Sequence, residues 1–141
     1  VRPMRRSVPA GAAYFALVFA IGFALGVLRV LALAPHLGEL GAVAAELPLI
    51  LAASWLVAGL LIRRCRVPAT IPARVVMGET AFLLLLAAEA VLAVAVLGRT
   101  PEQHLAHYGT TPGLLGLGGQ FVFGILPLLH LALHPPLPDG P

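Results

Sequence analysis

Four polar side chains stand apart in an otherwise apolar chain: Arg29, Glu46, Glu89 and Gln120. Each interrupts a hydrophobic run long enough to cross a bilayer, where an isolated charge costs about 2.5–3.5 kcal/mol unless it finds a partner. The planar fork of Arg29 matches a carboxylate, so it can neutralise Glu46 or Glu89, or bridge both. Two carboxylates sharing one arginine leave one of them able to take up a proton near neutral pH. Gln120 can donate to whichever oxygen remains. The chemistry expected of this set is that of a proton or cation site. Its other reading is a buried clasp that fixes helix register.

A second pair lies nearer the opposite end of the helices. Glu79 falls early in the third apolar run and His130 late in the fourth, so the two can relay protons or hold a divalent metal. Their plainer reading is two snorkelling end residues. His104 and His107, spaced i,i+3 beside Glu102, lack a cysteine and a fourth ligand, so no metal centre is assigned. Cys65 is the single cysteine and cannot form an intrachain disulfide. No nucleophile–base set, phosphate loop or haem motif is present. Neither an enzyme nor a cofactor is expected.

Composition places these residues. The chain has 141 residues, 60% hydrophobic and 11% charged, against about 45–50% apolar and roughly 25% charged in a soluble domain. All nine basic residues are Arg. Eight of them lie in the N-terminal tail or beside expected helix ends, with few aromatics among them. That is the distribution of a membrane protein obeying the positive-inside rule, not a phosphate-binding stripe, so nucleic acid is excluded as a partner. The lack of Lys and Asn beside abundant Ala, Leu, Arg and Gly fits GC-rich coding and a bacterial inner membrane.

Hydropathy predicts an all-α integral membrane four-helix bundle, made of two antiparallel hairpins in a single domain over 1–141. The spans are 10–34, 40–62, 73–97 and 112–133. The first run exceeds a signal-peptide core of about 7–15 residues, so it is read as an uncleaved transmembrane helix. It is expected to stop before Pro35, because the residue before a proline is pushed out of the helical region, and Pro35-His36-Leu37-Gly38 is read as a tight connection to the second run. Pro48, inside the second span, is expected to break that helix and expose carbonyls to a cavity. Trp55, near mid-span, reads as a packing residue. Residues 98–111 form the most polar loop, with a short interfacial helix over 102–108 that carries Tyr108. The proline-rich tail from His134 cannot continue a helix.

Arg2, Arg5, Arg6, Arg63, Arg64, Arg66 and Arg74 gather on one side, against Arg99 on the other. Both termini are therefore expected in the cytoplasm. At 1.5 Å rise per residue, Arg29 lies about 9 Å, Glu46 about 10 Å, Glu89 about 13 Å and Gln120 about 12 Å from the outer helix ends. One polar side chain per helix thus falls in a common layer. Gly22 and Gly26 form a G-x-x-x-G pattern, and Gly113, Gly116, Gly118, Gly119 and Gly124 crowd the fourth span. These glycines predict that the first and fourth helices pack together or against a second subunit. The Pro48 and Pro127 positions also suggest two hairpins related by an axis along the membrane normal.

The segment GFALGVLR resembles the glycine-rich first helix of small four-helix fluoride channels. Those channels also use a membrane asparagine, and this chain has none, so the resemblance is set aside. Small multidrug-resistance proteins have a similar length but place their essential glutamate in the first helix, which here has none. The reading that results is a small inner-membrane protein with a buried Arg–Glu–Glu–Gln layer, acting as a proton- or cation-coupled transport component. The alternative is an accessory or assembly subunit of a membrane complex. The expected partners are the lipid bilayer and a second copy or larger complex.

Overall fold

The computed structural model describes residues 2–135, with side chains from residue 5 onward. The tail beyond Pro135, read above as non-helical, lies outside the described residues, as does the Arg2 side chain. Among the described residues every element is helical: α1 (Arg2–Leu28), a π-helical turn (Arg29–Leu33), α2 (Ala34–Arg64), α3 (Ile71–Val91), a second π-helical turn (Leu92–Val96), α4 (Pro101–His107) and α5 (Thr111–Leu133). Three helical runs are long and apolar enough to cross a membrane: Arg5–Arg64, Ile71–Val96 and Thr111–Leu133.

The first run folds back on itself. Its turn falls at Gly38, the last residue of the expected Pro35–Gly38 connection, with φ 74° and ψ 171°, the only non-helical residue inside α2; helix continues past Pro35 up to it. That backbone region is open essentially to glycine alone. The chain reaches Gly38 in helical form by widening into the π turn, where the Ala34 N–H bonds back to the Arg29 carbonyl. Pro35 then sits near the start of α2, where its missing N–H costs little. Pro48 stays within regular helix and does not break it. A single proline removes one donor, which a long apolar helix absorbs.

Threonine sets the later starts. The Thr70, Thr100 and Thr110 hydroxyls accept from the backbone N–H groups of Ala73, Gln103 and Gly113, each with a proline in the following first turn. Gln103 completes a capping box on α4.

Packing is tightest at the end that carries Arg63, Arg64 and Arg66, called here the basic end. Tyr14, Ala58, Met77 and Phe123 centre a buried cluster there, with Cys65 half-buried against it. A Cβ on Gly78 would collide with the Gly124 carbonyl oxygen, and one on Gly11 would lie 2.5 Å from that of Met77. Glycine therefore permits α3 to touch α5 and α1 to touch α3.

The neighbours differ from those the glycine patterns predict. α1 packs chiefly on α3 and α2, and α5 on α2 and α3. A Cβ on Gly22 would lie 3.6 Å from the Ile50 side chain of α2 and would meet nothing of α5 within 4 Å. An axis along the membrane normal would set α1 beside α5 and α2 beside α3. Parallel helices instead lie side by side, which removes that symmetry.

Candidate functional site

Toward the far end, where Gly38 and the residue 98–110 segment turn the chain, the helices part around a cavity of about 590 Å³. Arg29, Glu46, Glu89 and Gln120 all line it. They come from the four helical segments that the depth count drew them from. The remaining wall is apolar apart from Ser54, with Phe19, Phe23, Leu47, Ile50, Leu85 and Phe123 among its residues.

The four polar groups divide into two pairs. Arg29 Nη1 donates to Glu46 Oε2 at 2.8 Å. The Arg29 side chain is 35% exposed and that of Glu46 13%. Gln120 Nε2 donates to Glu89 Oε1 at 2.5 Å. The expected sharing of Arg29 between two carboxylates is therefore absent. Each hairpin closes its own pair, because the strongest partner within reach of each charge lies on the helix it turns into. Among the described residues Arg29–Glu46 is the sole ion pair, so Glu89 has no cationic partner at salt-bridge distance.

Sequence reasoning left Tyr108 at headgroup depth and did not join it to the layer. In the structure α4 folds back beneath the π turn of α3, and Tyr108 Oη donates to Glu89 Oε2 at 3.3 Å. The same Oη lies 3.4 Å from His104 Nε2. Burial, with the Glu89 carboxylate beside it, pushes the Tyr108 phenol up from 10 to about 12. It is therefore an un-ionised hydroxyl across the physiological range. Among the described residues, two buried side-chain atoms have no partner, His104 Nδ1 and Gln120 Oε1. The signal that could have found Tyr108 is its spacing: four residues after His104, on the same face of one helical turn.

Glu79 and His130 are not brought together. Glu79 is exposed on α3. His130 stacks on Trp55 with ring centroids 3.6 Å apart, and its Nε2 lies 2.9 Å from the Trp55 carbonyl oxygen. Gly59 leaves the space that the imidazole occupies. No group of three metal-ligating side chains occurs among the described residues.

Pro127 explains one further contact. Lacking an N–H, it frees the Phe123 carbonyl one turn earlier. Tyr14 Oη, reaching across from α1, donates to that carbonyl at 2.7 Å while its ring stacks on Phe123. Arg74 is buried and gives its Nε and Nη1 to the carbonyls of Pro68 and Pro127, at 3.2 and 3.1 Å. This arginine, counted above among the loop cations, serves as a backbone fastener.

Comparison with family models, with curated proteins and with solved structures finds no match to this chain.

Proposed function

We propose that this chain is a four-helix inner-membrane protein with both termini in the cytoplasm. In this reading it acts as a proton- or cation-coupled transport component, with Glu89 as the exchanging group. The observation that carries it is the cavity: the four polar residues of the apolar spans line one space and form two pairs, of which only one is an ion pair. Glu89 is held by an amide and a phenol rather than by a cation, so a proton or an incoming cation can take the place that an arginine would otherwise fill. Tyr108 and His104 link it to the polar segment at the far end.

Membrane insertion is supported by where the apolar residues are. Leu31, Leu56 and Val91 are 74%, 71% and 63% exposed, on helices whose most apolar windows are at most 17% buried. Such faces suit lipid rather than water. The arginine asymmetry supports the orientation.

The accessory-subunit reading draws on the closed Arg29–Glu46 pair, which alone would serve as a clasp between α1 and α2. Liposomes holding the purified chain and an internal pH dye, driven by a potassium diffusion potential, separate the two. The transport reading expects proton entry that Glu89→Gln abolishes while circular dichroism and gel filtration stay unchanged. Entry that survives Glu89→Gln overturns it. Absence of entry in the native chain leaves the accessory role.

A further inference from the structure

The cavity's chemistry also selects what it would hold. At about 590 Å³ it has the size of a small-molecule site. Its long aromatic and aliphatic wall excludes a bare inorganic ion as a good fit, since such an ion would meet too few oxygens to replace its water. The charges add in one direction. Arg29 and Glu46 cancel, and Glu89 stays without a salt-bridge partner, so the space favours one positive charge. Next to Glu89, Gln120 has spent its Nε2 on the carboxylate, and its buried Oε1 accepts from nothing in the protein. A buried acceptor left open in this way calls for a donor.

We infer that the cavity binds an amphipathic amine: an apolar body of drug-like size ending in a protonated nitrogen with at least one N–H. The body lies along Phe19, Phe23, Ile50 and Phe123, and the ammonium sits between the Glu89 carboxylate and the Gln120 amide oxygen. This assignment rests on the reading of Glu89 as the exchanging group. A quaternary ammonium satisfies the charge but not Gln120. A neutral alcohol of the same shape can donate to Gln120 but leaves the charge of Glu89 unmet. An aminophospholipid carries the same nitrogen chemistry, but Glu89 lies nine residues before Gly98, about 13 Å along the helix from its end, below the level of a headgroup. The ligand is therefore a free amine.

The test uses the full chain in phosphatidylcholine nanodiscs, titrated calorimetrically at about pH 8, with His104 and His107 the imidazoles that face Glu89 from α4. The probes are 2-naphthylmethylammonium, its N,N,N-trimethyl analogue and neutral 2-naphthylmethanol. The ammonium is expected to bind best, with the quaternary form about tenfold weaker for want of an N–H and the alcohol weaker still. Glu89→Gln removes the preference for ammonium over alcohol. Gln120→Leu narrows the gap between the ammonium and the quaternary form, because the N–H then has only the Glu89 carboxylate to donate to.

Equal binding of the alcohol and the ammonium, or of the ammonium and its quaternary form, overturns the assignment on the native chain alone, whether or not the variants fold. Loss of ammonium binding when phosphatidylethanolamine is added to the disc overturns the free-amine source in favour of lipid. If this ranking fails while Glu89-dependent proton entry persists, the transport reading stands without it. If the ranking holds and proton entry is absent, transport fails and a binding site remains.

Discussion

At the basic end the backbones of Gly78 and Gly124 meet, and Tyr14, Met77 and Phe123 fill the space between helices. At the far end Gly116 and Gly118 face open space, and the same helices leave a cavity lined by two polar pairs. The hydrogen bonds differ in the same way. Tyr14 and Arg74 at the basic end donate to backbone carbonyls: that of Phe123, which Pro127 leaves open, that of Pro68 in a loop, and that of Pro127 within α5. At the far end Arg29 and Gln120 donate to carboxylates, and two buried polar atoms stay without a partner. One half spends its polar groups on closing the fold. The other turns its polar groups toward a cavity, and close packing of the first half allows the second to stay open.

Thermal unfolding in detergent can break this contrast. Gly78→Ala drives a Cβ into the Gly124 carbonyl and is expected to cost about 3 kcal/mol through overpacking. Should its melting temperature match the native chain's, the two helices do not meet as described. Tyr14→Phe keeps the stacked ring but strips the donor from the buried Phe123 carbonyl, an expected loss of about 2 kcal/mol. Gly116→Ala, in the open half, should act with the opposite sign, adding about 0.5 kcal/mol because alanine loses less backbone freedom. A large loss at Gly116 would mean that the far half is packed as tightly as the basic half.

The finest distinction concerns Tyr108. Its phenol has a folded value near 12 against an ordinary 10. The un-ionised form therefore contributes stability that is fully present below the lower value and is lost as pH rises through the upper one. An alkaline titration by ultraviolet absorbance should show one phenolate appearing near pH 12 that Tyr108→Phe removes. A Tyr108 step at the ordinary position would separate α4 from Glu89.

How far the site could be read in advance varies by residue. Depth counting put Arg29, Glu46, Glu89 and Gln120 in one layer because helix rise is constant, and all four line the cavity. Their pairing was not legible. It depends on which faces turn toward each other, and a rotation of α1 or α3 about its own axis would exchange Glu46 for Glu89 as the partner of Arg29 without changing any depth. Glu79 and His130 shared a depth as well, yet His130 found Trp55. Equal depth is therefore necessary for contact but does not select the partner. The turn itself was legible in Pro35–Gly38, but Pro48, expected to break α2, stays within it, because a long helix absorbs the loss of one donor.

Local physics decided much of this chain without reference to its fold. Long apolar runs impose helices, Thr followed by Pro starts the later ones, and one polar side chain from each apolar run marks where the interior must be polar, because these effects act within one turn or one helix length. The tertiary structure decided the rest: α1 beside α3, Tyr14 on the carbonyl freed by Pro127, Tyr108 folded back to Glu89, and an opening left between two satisfied pairs. Those outcomes depend on rotation and approach between helices, set by where a missing Cβ lets backbones touch, and these quantities arise only when the elements pack.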